Sequence, residues 1–127
     1  MKQYLDVPEE IVRRLRLACA HLPEAYEEAA YEGVRWRIRK NTLVHVLSRV
    51  VESGPITVMT FHSRGEEHDA LLAMGDPFYP GWGPGLVAMV LREDGSTDWG
   101  EVRELVTESY CLLAPQRLAA RVERPVR

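Results

Sequence analysis

Three arginines at every second position supply the most suggestive chemistry of the chain. In Val34-Arg35-Trp36-Arg37-Ile38-Arg39-Lys40 the guanidiniums alternate with Val34, Trp36 and Ile38, the period-2 pattern of a strand with one apolar face. On such a strand Arg35, Arg37 and Arg39 project to one side at intervals of about 6.6 Å. That is close to the spacing of successive phosphates on a nucleic-acid strand. With Lys40 beside them they form a candidate row for DNA or another polyanion. The same residues read equally as the solvated face of a one-sided sheet, paired with Glu27, Glu28 or Glu32, and such pairing would neutralise the row.

The second candidate is the stretch from Asp76 to Gly85, DPFYPGWGPG, with three prolines and three glycines. This composition excludes an ordinary helix or strand and demands a fixed irregular loop. Tyr79 and Trp82 can serve there as a stacking platform for a flat ligand or a protein partner. They can equally act as lids on the end of the core, the role expected of Phe78.

Other reactive side chains lack the spacing that chemistry needs. His62 and His68, near Glu66, Glu67 and Asp69, have no third ligand at a helical i, i+4 offset, so no metal site is expected. His45 falls within a strand, and His21 at a helix C-terminus, where the dipole favours it. Ser109, Tyr110 and Cys111 sit in mid-helix without a glycine elbow or a partner at motif spacing. Gly81 to Gly85 precedes a strand instead of a helix, so it is no phosphate cradle. Neither a catalytic set nor a cofactor is expected, and the chain reads as a non-enzyme.

Composition limits the partners. At 127 residues the chain is one domain, and 46% apolar with 28% charged residues excludes disorder. Its net charge of -3 and pI of about 5.8 disfavour nucleic acid except at a local patch. No apolar run approaches the ~20 residues of a membrane span, and no signal pattern opens the chain, so a cytoplasmic protein is expected. Cys19 and Cys111 are expected to be buried thiols in helices.

The elements that must position these residues follow in order. Asp6, with Pro8 and Glu9, predicts the cap of a helix whose stripe is Ile11, Leu15, Ala18, Cys19 and Leu22, ended by Pro23. Residues 23–32 show no period and read as a loop. The arginine strand turns at Lys40-Asn41 into a strand from Thr42 to Leu47. Ser48 to Pro55 reads as a connection, and Ile56 to Phe61 as the next strand. Ser63 and Glu66 predict a capped helix to Met74, with Leu71, Leu72 and Met74 inward and Gly75 as its stop. Leu86 to Leu91, an unbroken apolar run, predicts the best-buried strand. Thr97 or Asp98 caps a long helix with Trp99, Val102, Val106, Ser109 and Leu113 on one face. Pro115 then separates a short helix, Gln116 to Arg121. The outcome is an α+β domain with a mostly antiparallel sheet of three or four strands.

Several of these segments together resemble the MmcQ/YjbR family of small bacterial proteins. The matching features are Asp76-Pro77-Phe78-Tyr79 after Leu71-Leu72-Ala73, the Trp82-to-Gly85 turn into an apolar strand, and Asp98-Trp99 opening the last long helix. Glu108-Ser109-Tyr110 and Leu113-Ala114-Pro115 with Leu118 and Ala119 complete the C-terminal half. The helix ending in Leu22-Pro23 and the Arg-Ile-Arg hairpin agree more loosely. The resemblance implies a sheet packed against helices on one face, in a double-wing arrangement similar to the frataxin-like fold. It also implies a DNA-binding label, and it supplies no catalytic residues.

Two functions of different class remain. One is a DNA- or polyanion-binding domain using Arg35, Arg37, Arg39 and Lys40, with Tyr79 and Trp82 as stackers. The other is a non-catalytic protein-interaction or small-ligand module centred on the aromatic loop. The family label favours the first and the net charge the second.

Overall fold

The computed structural model describes residues 4–123, which form a seven-stranded antiparallel sheet and four helices. The elements are β1 (Tyr4–Leu5), α1 (Glu9–Cys19), β2 (Tyr26–Ala29), β3 (Val34–Ile38), β4 (Asn41–Val51), β5 (Gly54–His62), α2 (Gly65–Met74), β6 (Phe78–Pro80), β7 (Leu86–Leu91), α3 (Trp99–Leu113) and α4 (Gln116–Ala119). The strand order is β2-β3-β4-β5-β7-β6, with β1 paired to the far end of β4. This is the expected α+β class.

The register assigns each residue to a face. Trp36, Val44, Phe61 and Val87 form one row across the sheet, and Val34, Val46, Met59, Met89 and Phe78 the next. All of them join one core with Ile11, Leu15 and Ala18 of α1, Leu71 of α2, Val102, Leu105 and Val106 of α3, and Leu118 of α4. Each such fully buried aliphatic or aromatic side chain contributes about 1.5–3 kcal/mol. The alternate row is Glu28, Arg35, His45, Thr60, Ala88 and Tyr79, on the opposite face. Leu47, Val58 and Ala88 are buried on that second face yet lie outside the core cluster.

Several local expectations change. Pro8, not Asp6, holds the N-cap position of α1, and its carbonyl accepts from the Ile11 and Val12 amides; Glu9 and Glu10 then favour the helix dipole. Residues 26–29 are a strand, unreadable by period because an exposed edge strand buries too little to need one. The supposed connection at Ser48–Pro55 is a tight hairpin, with β4 running to Val51, β5 starting at Gly54, and Gly54 at φ +117°. The turn after β3 falls one residue early, on Arg39 at φ +56°. Arg64, not Ser63, occupies the N-cap of α2; the Ser63 amide donates to the Gly85 carbonyl at 2.9 Å, and its hydroxyl is enclosed without a partner among the described residues. Met74 is 62% exposed instead of inward, and α4 ends at Ala119. Phe78–Pro80 forms a short strand inside the loop. The apolar strand β7 is well buried, but the sheet centre belongs to β4 and β5.

Asp98 does cap α3, accepting from the Glu101 amide at 3.1 Å. Near the end of α3 a buried serine locks the sheet. The register shift between Trp36 and Arg37 leaves Leu43 without a ladder partner, so Leu43 and Val44 are both fully buried. The Ser109 hydroxyl donates to the freed Leu43 carbonyl at 2.6 Å and accepts from the His62 amide at 3.0 Å. Ser109→Ala strands both groups and should cost about 1–3 kcal/mol. Urea unfolding checks this: the midpoint should fall with the m-value unchanged, while Ser96→Ala on the surface should stay within about 0.5 kcal/mol of the parent.

Candidate ligand site on the open sheet face

The arginines do not form an open row. Arg35 and Arg37 project from β3 onto the open face, and both converge on Glu28 of the neighbouring strand. The Arg35 Nε donates to Glu28 Oε1 at 2.6 Å and its Nη2 is also paired there, while Arg37 Nη1 reaches the same oxygen at 3.3 Å. Arg37 Nη2 donates to the backbone carbonyl of exposed Lys40 at 2.7 Å. Arg39, displaced into the turn, pairs with Glu24 at 3.0 Å. The hydrogen bond from Arg35 is the chief reason the Glu28 carboxyl is held below its usual range. The expectation of three clear, evenly spaced guanidiniums is therefore corrected: two share a carboxylate and the third leaves the strand.

The aromatic loop is as stiff as its composition demands. The Gly81 amide donates to the Leu86 carbonyl at 3.1 Å, and a Cβ at Gly81 would meet Leu86 Cβ at 2.6 Å, so only glycine permits this approach. Phe78 is buried in the core, as expected of a wedge. Trp82 is 54% exposed. Its ring stacks on the guanidinium of Arg49, with Cζ 5.0 Å from the ring centroid. Tyr79 stands beside this pair: burial raises its pKa, and the Arg49 charge and a side-chain hydrogen bond with Arg49 work against that rise. The Tyr79 hydroxyl and the Arg49 Nε are both enclosed; the hydroxyl interacts with the Arg49 side chain, and neither atom has a partner at good hydrogen-bond geometry among the described residues.

Arg49 escapes sequence reasoning because it lies in the segment read as a connection. The sequence signal that does exist is the β-branched pair Val50-Val51 beyond the expected strand end, which extends the strand through Arg49. Register places it opposite Tyr4 on one side and Ile56 on the other, on the face of His45 and Thr60.

Next to the arginine pair is a groove of about 400 Å³ whose lining includes Tyr31, Arg35, His45, Thr60, His62 and Leu86. This volume lies within the range for small-molecule sites. The His45 Nε2 donates to the Glu32 carbonyl at 2.5 Å, because a carbonyl can only accept. Burial pushes the His62 pKa down, helped by the Arg64 charge, while a hydrogen bond with the Thr42 backbone opposes the shift.

The remaining candidates are structural. His21 contacts Thr107 Oγ1 at 2.8 Å, and its pKa is lowered by burial and by Arg103. The Tyr110 hydroxyl donates to the Pro23 carbonyl at 2.7 Å. Cys19 and Cys111 are free thiols; burial pushes Cys19 up to about 12, a poor nucleophile, and Cys111 is partly buried. His68 lies 3.7 Å from Asp69. Among the described residues no three histidine, cysteine or acidic side chains converge to hold a metal, and no helix is long and apolar enough to cross a membrane.

The two lowered histidines set a pH response. Each holds a pKa below its unfolded value of about 6.5 in the folded chain, so the unfolded chain binds more protons as pH falls through that window. Stability is fully present above about pH 6.5 and declines below it. Thermal melting between pH 7 and 5 should show this decline, and it should be shallower in His62→Gln than in the parent.

Comparison with known proteins adds one finding. No curated protein matches the chain. A model of the YjbR family matches residues 20–112. The matched span runs from the C-cap of α1, through every strand from β2 to β7, to the penultimate residue of α3. By that match over most of its length, the chain belongs to the YjbR family.

Proposed function

We propose that this YjbR-family protein is a non-catalytic binding domain whose ligand, a small molecule with a flat or apolar part, lies on the helix-free face of the sheet. The observation that carries the reading is Trp82, an exposed indole held by a rigid glycine- and proline-rich loop against the Arg49 guanidinium. An aromatic ring in that setting offers contact area at little entropic cost, because the loop is ordered beforehand. On the same face, the groove lined by Arg35, His45 and Thr60 offers polar groups that can orient a ligand.

A second reading, DNA binding through Arg35, Arg37, Arg39 and Lys40, has one specific support. The Glu28 carboxylate is shared by two guanidiniums, which leaves positive charge on that part of the face. The opposing facts are the pairing of Arg39 with Glu24 and the overall charge of -3.

Two experiments separate the readings. A screen of small aromatic acids, amides and amines by amide and indole NMR shifts should perturb Trp82 and its neighbours, and Trp82→Ala should abolish the effect. Stability should change by no more than about 1 kcal/mol in that variant, the scale of a half-exposed ring's contact with a guanidinium. Titration with labelled single-stranded and duplex DNA provides the contrast. Binding that weakens with salt and on Arg37→Ala, but is indifferent to Trp82→Ala, would favour the second reading over the first.

A further inference from the structure

We infer that the ligand of the open face carries an oxyanion, a carboxylate or phosphate on a flat apolar body, which binds the Arg49 guanidinium with its body against Trp82. The inference rests on the open face being the binding surface, and adds the chemical class of what binds there.

Four arginines are half-buried among the described residues: Arg35, Arg37, Arg49 and Arg92. Arg35 and Arg37 pair with Glu28, and Arg92 pairs with Asp76 at 2.9 Å. Arg49 forms no salt bridge with an acid among the described residues; its guanidinium stacks on the indole of Trp82 and interacts with Tyr79. Partial removal of a guanidinium from water is costly without a counter-charge, and a ring face compensates only in part. On the strands of this face Arg35, Arg37 and Arg49 stand against the single carboxylate of Glu28. An incoming anion completes that balance.

Hydrogen bonding points the same way. The enclosed Arg49 Nε has no well-placed acceptor, and the adjacent Tyr79 oxygen, which faces the Arg49 side chain as an acceptor, leaves its own O–H proton without one. Enclosed polar groups left in this condition are rare in folded proteins and mark places where a missing group belongs. A guanidinium presents its donors as a planar fork that matches two oxygens of a carboxylate or phosphate. An oxygen at Nε leaves the second oxygen within reach of an Nη donor, with Tyr79 able to donate to either. Trp82, on the solvent side of the guanidinium, is the side chain that shifts to admit the anion, and its ring then covers the flat body attached to it.

The test uses the full chain, labelled with nitrogen-15, and three probes: benzoate, phenyl phosphate and the neutral benzamide. Benzoate or phenyl phosphate should move the Trp82 indole and Arg49 Nε resonances saturably, at least about tenfold more tightly than benzamide. The tighter of the two identifies the source of the oxyanion. Arg49→Gln should erase this preference while leaving weak benzamide binding, and Arg49→Lys should restore only part of it, since the charge returns without the fork. Equal affinity for benzamide and benzoate, or a preference that survives Arg49→Gln, overturns the oxyanion assignment and leaves the open-face reading standing. If none of the three probes moves Trp82, both are overturned.

Discussion

The pairing of β4 with β5 is the constraint on which the candidate site depends. Its ladder runs from Val44 opposite Phe61 to Val51 opposite Gly54, closed by a tight hairpin that requires Gly54 at positive φ. Because side chains alternate with period two, a slip of one residue would send Val44, Val46, Phe61 and Met59 to the open face and His45, Arg49 and Thr60 into the core. The apolar set cannot tolerate that exchange, so hydrophobic burial on one side dictates which polar groups stand together on the other. The site is in this sense a by-product of core packing made specific by register.

The two faces are finished differently. Helices α1 and α3 seal the core side, and Ser109 of α3 ties the bulge at Leu43 to the end of β5. No helix contributes to the burial of Leu47, Val58 and Ala88 through the main core cluster. Long amphipathic side chains such as Arg49, with apolar stems and polar tips, suit the covering of such a surface. That arrangement leaves the polar tips of Arg49 and Tyr79 together beneath a tryptophan, where solvent is largely excluded and electrostatic contacts gain strength.

The charge distribution explains why an arginine-rich strand makes a weaker case than a single arginine elsewhere. Edge strand β2 sets Glu28 directly opposite Arg35, and the curve of the bulge brings Arg37 to the same carboxylate. Half-exposed pairs of this kind add little stability, yet they consume the donors a phosphate backbone would use. Arg49 lies beyond the reach of β2, across from the two-residue β1 and from Ile56, where the described strands offer no acid.

Much of the fold was legible along the chain. The helical stripe of Ile11, Leu15, Ala18 and Cys19, the alternation from Val34 to Ile38, the apolar run Leu86–Leu91 and the Asp98 cap all depend on residues within one element, and each appears where its period places it. The rigidity of the Pro/Gly loop was legible too, because φ restriction and freedom are properties of single residues. Strand β2, the full length of β4, the caps of α1 and α2 and the turn at Arg39 were not. They are decided by which neighbour offers a ladder or an acceptor, and that neighbour is distant in sequence.

The candidate site divides along the same line. Residue order alone determined that Trp82 would sit on a glycine- and proline-rich loop and that Arg35 and Arg37 would share a face, since backbone geometry and alternation are local; that Tyr79 would join strand β6 it did not. Only the tertiary structure decided that Glu28 would claim those arginines and that Trp82 would meet Arg49. Salt bridges and ring stacking require particular side chains brought together across strands, and no local pattern records which cation will be left without an acid.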